Sequence, residues 1–308
     1  DFTTVTEPIF TGLRRFEDYD LAELRTRIDW TPFLKSWEMP GRWPAVLEHP
    51  EAGPHAQILY DDANALLNEL EASGAIKAQG VFGFFPANQV GDDIHVYTDE
   101  TRTETRTVIH TLRQQMSKGK GKFNRALADY VAPVGTADWI GLFAVTAGVG
   151  VDALIAEAEA QHDDYRAIML AAVTDRLAEA FAERLHERVR TTFWPAYPDE
   201  DLDNEALIAE AYGGIRPAPG YPACPDHTEK RTIFELLEVS DRIGLSLTES
   251  CAMLPAAAVS GYLFVHPEAQ YFGVGRIARD QVEDYARRKG ITQAEAERRL
   301  GPSLAYDP

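Results

Sequence analysis

The chain has 308 residues, of which 45% are hydrophobic and 26% are charged, so it can bury a substantial core in one large domain or two ordinary ones. Its formal net charge of −19 argues against non-specific nucleic-acid binding and against electrostatic attachment to an anionic membrane. No apolar run reaches the roughly 18 residues of a membrane span. Two cysteines, Cys224 and Cys251, are too few for a disulfide framework, so we expect a cytoplasmic protein.

The first half of the chain mixes predicted helices and strands. Asp20 and Glu23 form a capping-box pattern that predicts a helix over Leu21–Ile28. Apolar residues at helical spacing predict a second helix over residues 56–73, and Gly74 ends it. The predicted strands are Val81–Pro86, Ile94–Tyr97, Thr105–Leu112 and Trp139–Thr146, and a basic, glycine-containing loop is predicted at Ser117–Lys122.

The second half opens with a long helical segment from Asp152 to about Phe193. Its apolar stripe should face the core and consists of Tyr165, Ile168, Met169, Ala172, Val173, Leu177, Phe181, Leu185 and Val189. Further helices are predicted over Glu205–Tyr212, Thr228–Val239, Asp280–Lys289 and the segment that starts at the Thr292–Glu295 capping box. Strands are predicted at Ser246–Met253 and as a pair, Val259–Val265 with Tyr271–Ile277.

Short turns between strands indicate antiparallel pairing, and the long helices must cover one face of the sheet. The sequence therefore predicts the α+β class, with a single large domain that has a twisted, mainly antiparallel sheet flanked by long helices. A doubly wound parallel sheet is disfavoured. Gly148-Val-Gly150 and Gly273-Val-Gly275 do not complete a dinucleotide-binding fingerprint, so we interpret these glycines as structural.

Several polar residues resemble parts of functional sites without completing one. Cys224 and His227 have ligand spacing, but zinc needs about four ligands, so a packed thiol is the favoured interpretation. His95 is interpreted as an ordinary strand histidine. Glu179, Glu183 and His186 share one helical face, which such a pattern usually leaves in solvent, and it gains interest only beside a cationic partner. Asp29 could simply cap a short helix.

The motif segment, residues 216–230, reads Arg-Pro-Ala-Pro-Gly-Tyr-Pro-Ala-Cys-Pro-Asp-His-Thr-Glu-Lys. Proline fixes φ and lacks a backbone donor, while Gly220 permits conformations that other residues avoid. This composition predicts a rigid, irregular loop. Such a loop can present backbone groups to a ligand at low ordering cost, or it can be only a stiff connector, and composition leaves both interpretations open.

The motif segment resembles the S-adenosylmethionine-binding motif in the reactivation domain of cobalamin-dependent methionine synthase. The resemblance covers nearly the whole chain, in the family's order. It includes Arg27–Phe33, Leu112–Gln115, Gln161–Tyr165, Asp175–Arg190, Leu236–Glu238, Leu247–Ser250 and Asp280–Gly290.

The resemblance implies a function in repair of a larger enzyme. The full family enzyme transfers a methyl group from methyltetrahydrofolate to homocysteine through cobalamin, which another domain holds; its zinc site also lies elsewhere. Cobalamin is occasionally oxidised to the inactive cob(II) form. This domain then caps the cobalamin-binding domain and supplies S-adenosylmethionine, while a flavodoxin-type or related reductase supplies one electron. No cobalamin signature, folate barrel or homocysteine zinc site is found here, so the chain alone should not make methionine.

The resemblance also assigns site residues. Arg216 would bind the carboxylate of the ligand, and Asp29 its ammonium group. Tyr271 and Phe272 would lie near the sulfonium, where an aromatic ring contributes about 0.5–2 kcal/mol. The adenosine side would contact Pro217, Ala218 and Tyr221, and Glu179 matches a family glutamate near the site.

The chain starts at Asp1 without an initiator methionine. We therefore expect that residues 1–308 form one S-adenosylmethionine-binding domain, as a fragment of a longer enzyme. The alternative is a stand-alone accessory protein that reactivates a separate cobalamin methyltransferase. A self-sufficient small-molecule methyltransferase is a third, less favoured hypothesis. An acidic reductase would need a basic patch, for which two sets of residues are candidates: Lys118, Lys120 and Lys122, and Arg287, Arg288 and Lys289. The first set is favoured as a solvated loop, and the second as a helix C-terminus that favours cations.

Overall fold

The computed structural model describes residues 2–308 and interleaves helices with strands along the chain. The strands are β1 Gly12–Tyr19, β2 Lys77–Val90, β3 Asp93–Tyr97, β4 Thr105–His110, β5 Trp139–Val149, β6 Ser246–Leu247, β7 Met253–Leu254 and β8 Ala258–Leu263. The helices are α1 Leu21–Arg25, α2 Trp30–Ser36, α3 Ala52–Ser73, α4 Val151–Ala160, α5 Asp164–Arg188, α6 Asn204–Ile208, α7 Glu229–Leu237, α8 Val239–Ile243, α9 Arg279–Lys289 and α10 Gln293–Leu300. Short 3₁₀ segments and a π-helical turn, Val189–Phe193, connect some of them.

Strand β2 organises the main sheet because its 14 residues are enough to pair with three other strands. Its first part lies between β1 and β5, so that Phe82 is opposite both Arg14 and Phe143. Its last residues pair with β3, which pairs in turn with β4, while β5 pairs on its other side with β8. All these pairings are antiparallel, so the predicted α+β class with a mainly antiparallel sheet is confirmed.

The side chains of the central strands alternate between two buried faces. Phe82 and Phe143 belong to a core that α3 and α5 cover, whereas Leu142 and Ala144 belong to a second core under α7 and α8. The predicted long helices therefore cover one face, and the shorter helices cover the other. This double cover explains why β5 is apolar at nearly every position.

The long helical segment predicted over 152–193 is divided in two. His162 adopts a left-handed backbone, with φ of 55°, and Asp163 caps the start of α5 with its side chain. Tyr165 and Ile168 are exposed, so their assignment to the core was wrong. The remainder of the predicted stripe is buried or half-buried, as expected: Met169, Ala172, Val173, Leu177, Phe181, Leu185 and Val189.

Three other helices are shorter than predicted. Helix α1 ends at Arg25, three residues before the predicted end. Helix α6 ends at Ile208 and is followed by Glu210 with φ of 55°, a left-handed conformation that cannot continue a helix. In the same way Glu238, with φ of 52°, separates α7 from α8.

Two strand predictions were wrong. Residues 246–253 form a small hairpin, in which β6 pairs with β7, rather than one strand. Residues 271–277 do not pair with β8, because a different segment occupies that position. The carbonyl of Pro217 accepts a hydrogen bond from the N–H of Tyr262 at 2.9 Å, so the motif segment lies along the free edge of β8.

Strand β1 was not predicted from the sequence. It carries Arg14, Arg15, Glu17 and Asp18 and pairs only with β2. Charged side chains are typical of edge strands, and they hide the alternation that marks a half-buried strand.

Other local interpretations are confirmed. Gly150 has φ of 94°, and a Cβ there would lie 2.5 Å from the carbonyl oxygen of Ala75, so the Gly148-Val-Gly150 turn is structural. His95 lies within β3 as an ordinary strand residue. Over residues 2–308, none of the helices has both the length and the apolar character needed to cross a membrane.

Gly261 tests how closely the motif segment must approach β8. A Cβ at this position would lie 2.6 Å from the carbonyl oxygen of Pro217, a backbone atom that cannot move away alone. Gly261→Ala should therefore lower the free energy of unfolding by about 1–3 kcal/mol in urea denaturation. Gly119→Ala, where no atom lies within 4 Å of the added methyl group, is the control and should change it by less than about 0.5 kcal/mol. Equal values for the two variants would contradict the close approach.

Candidate functional site

Beyond its contact with the edge of β8, the motif segment forms two consecutive tight turns. The N–H of Tyr221 donates to the carbonyl of Ala218 at 3.2 Å, and the N–H of Cys224 donates to the carbonyl of Tyr221 at 2.9 Å. Gly220 has φ of 95°, and a Cβ there would lie 2.2 Å from the ring of His227. The predicted irregular loop is confirmed, and it depends on glycine at this position both for its backbone conformation and for space.

Two adjoining cavities border this loop, and together they form what we call the groove. The larger cavity, about 510 Å³, lies between the motif segment, β5, β8 and residues 271–273. The smaller cavity, about 250 Å³, lies between α2, α5 and α6. Glu179, Glu210 and Arg216 line both cavities. The larger volume falls within the range of small-molecule sites.

The structure brings all eight predicted site residues to this groove, although they come from distant parts of the chain. The larger cavity is lined by Glu179, Arg216, Pro217, Ala218, Tyr221, Tyr271 and Phe272, and the smaller one by Asp29, Glu179 and Arg216. Asp29 also caps α2, because its side chain accepts a hydrogen bond from the N–H of Thr31 at 2.9 Å. The structure thus supports both interpretations of Asp29, and the contacts of all eight residues with a ligand stay predictions.

Arg216 is held in place from several sides. Its Nη2 lies 2.9 Å from Oε2 of Glu183, and its Nη1 donates to the hydroxyl of Tyr212 at 3.3 Å. Its backbone N–H donates to the hydroxyl of Tyr271 at 3.0 Å. The cation is therefore oriented before any ligand arrives, which lowers the ordering cost of binding.

The face of α5 that carries Glu179, Glu183 and His186 is not solvated, so that expectation was wrong for two of the three. Glu183 and His186 are buried, because the chain after α6 packs over them, with the ring of Tyr212 centred 4.9 Å from that of His186. Burial raises the pKa of Glu183, although the nearby Arg216 opposes this shift. Arg216 is a cationic partner of this face, and the expectation from the sequence was that only such a partner would make the face functional.

Several groove residues were not predicted. Glu210 lines both cavities in a left-handed backbone conformation, and Tyr212 lies four residues before the arginine that it contacts. Phe143 and Gly273 line the larger cavity. Of these residues, only Gly273 could have been inferred from the sequence as part of the groove, because it directly follows the predicted aromatic pair.

A partly buried lysine anchors the C-terminal end of the motif segment through two buried carboxylates. Nζ of Lys289 lies 2.6 Å from a carboxylate oxygen of Asp226 and 2.5 Å from one of Glu229, and the hydroxyl of Tyr285 donates to Asp226 at 2.8 Å. Burial raises the pKa of Glu229 against the effect of Lys289. Helix α9 therefore fixes the second end of the motif segment, as β8 fixes the first.

Two of the three basic residues proposed as a patch on α9 have mostly buried side chains that form ion pairs within the protein. Lys289 forms the buried contacts described above, and Arg288 forms ion pairs with Asp93 and Asp284. Only Arg287 keeps a mostly exposed side chain on this segment. All three residues lie in the last turn of α9, in agreement with the interpretation of a helix C-terminus that favours cations.

The lysine-rich loop stays at the surface. Nζ of Lys118 donates to the carbonyl of Phe123 at 2.7 Å and to the side-chain oxygen of Gln114. The loop thus folds back on itself beside an exposed aromatic ring.

Cys224 is buried and free, in agreement with its interpretation as a packed thiol. Burial raises the pKa of this thiol well above its ordinary value, which disfavours the reactive thiolate. In the described part of the chain, no three histidine, cysteine, aspartate or glutamate residues are grouped so that they could hold a metal ion.

Comparison with known proteins agrees with this geometry. The family model described as "Vitamin B12 dependent methionine synthase, activation domain" matches residues 20–290. A solved structure described as "Crystal Structure of the MetH Reactivation Domain bound to AdoHcy" is similar to this chain with a TM-score of 0.96 and 54% sequence identity. The match covers 99% of this chain and 94% of that chain. The resemblance inferred from the motif segment is therefore confirmed.

The buried His186 predicts a pH dependence of stability. Burial, together with Arg190 and Arg216, holds the pKa of His186 well below its ordinary value of 6.5. The unfolded chain therefore binds the proton first as the pH falls, and stability is lost below pH 6.5. The loss from this residue should approach about 1.4 kcal/mol per pH unit.

His186→Phe should remove this contribution, because a phenyl ring fits a site where neither imidazole nitrogen has a hydrogen-bond partner among residues 2–308. Urea denaturation of both proteins from pH 7.5 to pH 5.5 measures the difference. The wild-type protein should lose stability more steeply than the variant, and parallel curves would contradict this prediction.

Proposed function

Because this chain belongs to the activation domain family of vitamin B12-dependent methionine synthase, we propose that it binds S-adenosylmethionine in the groove and presents the methyl group to cobalamin. The family forms part of a methyltransferase of methionine biosynthesis. The related reactivation domain at 54% identity is described as bound to AdoHcy, which supports a ligand of the same class here.

The observation that carries the proposal is the distribution of charge in the groove. Arg216 lies where the two cavities meet, among the carboxylates of Asp29, Glu179 and Glu210. S-adenosylmethionine has one carboxylate and two cationic centres, an ammonium and a sulfonium. Arg27 and Arg176 also line the smaller cavity, but each forms an ion pair with a carboxylate of this chain, and Arg216 is the arginine that lines both cavities. A groove with a preoriented guanidinium and several carboxylates complements the charges of the ligand, because opposite charges at short range favour binding in a partly desolvated site.

Each part of the ligand then has a counterpart. Arg216 would bind the carboxylate, and Asp29 with Glu179 would bind the ammonium group. The rings of Tyr271 and Phe272 would face the sulfonium, which gains cation–π attraction. The adenosine would lie against the two tight turns, in contact with Pro217, Ala218 and Tyr221, and the backbone near Ala218 would recognise the adenine edge.

We propose that the chain acts by positioning and not by proton transfer. The methyl acceptor would be the metal centre of a cobalamin held by another domain. The transfer would consume one electron, from a reductase of the flavodoxin type, and leave S-adenosylhomocysteine as the product. The groove residues hold the methyl donor for in-line transfer, and proximity of this kind can supply much of the rate enhancement.

Arg216→Ala should abolish binding of S-adenosylmethionine, because the ligand carboxylate loses its counter-ion. Isothermal titration should give a dissociation constant of about 1 μM or lower for the wild-type protein, and an affinity at least about 100-fold weaker for the variant. Arg216→Lys should be intermediate, because it keeps the charge but not the planar donor pair. Arg287→Ala, at an exposed position of α9, is the control. Absence of binding to folded wild-type protein would refute the proposed function.

Asp29→Asn separates the two roles of Asp29. Asparagine caps a helix as well as aspartate does, so the free energy of unfolding should change by less than about 0.5 kcal/mol. The affinity for S-adenosylmethionine should fall by roughly tenfold or more, because the ammonium group loses a charged partner. An unchanged affinity, measured by the same titration, would show that Asp29 only caps α2.

A further inference from the structure

Ionisable residues that do not line the larger cavity form the wall of the groove behind Arg216. Glu183, His186 and Arg190 lie on one face of α5 and its π-helical continuation, and all three are buried. Buried charges are costly unless they are paired. The ion pairs within this wall therefore determine which carboxylate is the counter-ion of Arg216.

Arg216 has the larger effect of the two arginines that lower the pKa of Glu183, and the second, Arg190, forms its ion pair with another carboxylate. Nε of Arg190 donates to a carboxylate oxygen of Glu200 at 3.0 Å, so this cation has its own counter-ion. His186 stays uncharged, because burial and the adjacent arginines lower its pKa. The carboxylate of Glu183 is therefore the charge left to pair with Arg216, at 2.9 Å.

Tyr212 completes this support. Its ring is held between the guanidinium of Arg190, 4.2 Å from the ring centre, and the imidazole of His186. Its hydroxyl accepts a hydrogen bond from Nη1 of Arg216. The two terminal nitrogens of the guanidinium thus have different fixed partners. The N–H groups that remain free have a defined direction.

We propose that Glu183 is a positioning residue that orients Arg216 toward the carboxylate of the ligand, with Tyr212 as its second support. This inference rests on the proposed function, because it assumes that Arg216 binds that carboxylate. Glu183 is one turn along α5 from Glu179, which itself lines both cavities. Glu183 lines only the smaller cavity and contacts Arg216 directly, whereas Glu179 also lines the larger one. The two glutamates would therefore have different roles: Glu179 would contact the ligand, and Glu183 would orient the arginine that binds it.

The test compares two ligands that differ only in the carboxylate, S-adenosylmethionine and decarboxylated S-adenosylmethionine. Isothermal titration of the wild-type protein should give a preference for the carboxylated ligand of roughly 10-fold to 100-fold, as expected for hydrogen bonds to a charged group. Glu183→Ala should remove most of this preference and leave the affinity for the decarboxylated ligand within about threefold. Circular dichroism verifies that the variant is folded.

Two further variants keep the test decisive if Glu183→Ala does not fold. Glu183→Gln keeps the shape of the side chain and a polar oxygen near Nη2, so it should retain more of the preference than alanine. Tyr212→Phe removes only the hydroxyl contact and should reduce the preference by roughly twofold to fivefold. Glu71→Ala, which breaks a partly buried ion pair with Arg25 in another part of the structure, is the matched control and should retain the full preference.

The outcomes separate the inference from the proposed function. If the wild-type protein binds neither ligand, the proposed function is wrong. If it binds both ligands equally, Arg216 does not bind the carboxylate. If the Glu183 variants lose both ligands to the same extent, the residue has only a structural role. A larger preference in Glu183→Ala would mean that Glu183 competes with the ligand for the guanidinium. Each of the last three results would overturn the positioning role.

Discussion

The attachment of the motif segment to the free edge of β8 is the constraint on which the groove depends. A loop rich in proline cannot form a full ladder of hydrogen bonds, since proline lacks the donor. It can still offer carbonyls, and the Pro217 carbonyl accepts the N–H of Tyr262. The absence of a side chain at Gly261 lets the two backbones meet. The sheet thereby holds one wall of the groove, and α5, packed on the same sheet, holds another.

Buried charge compensation is the second principle of this structure. Lys289 neutralises carboxylates beneath one end of the motif segment, and Glu183 neutralises Arg216 near the other. Such pairs are weak evidence for stability, because desolvation offsets much of their attraction. They do restrict geometry, since breaking either pair would leave an unpaired charge in the interior. The loop between them is therefore held in one arrangement without a large apolar core of its own.

The sequence predicted those features that depend on local patterns. Helical periodicity located α3, most of α5 and α9, and the apolar run of β5 marked a central strand. The sequence-based predictions were wrong where tertiary contacts determine which segments pair as strands. The segment 271–277 has the composition of a strand, but β8 already has a partner in the motif segment. The charges of β1 hid a strand that only its pairing with β2 creates. The eight site residues came from a family resemblance. Helical spacing placed Glu183 on the same face as Glu179, but its partner Arg216 and the contact of Tyr212 with that arginine depend on tertiary packing.

The groove takes its walls from both ends of the chain, with Asp29 near one terminus and Phe272 near the other. Nearly all of this domain must therefore leave the ribosome before these walls can meet. Contacts so distant in sequence also form late in folding, after the loops between them have closed. A chain that ends before Tyr271 would lack one wall of the groove.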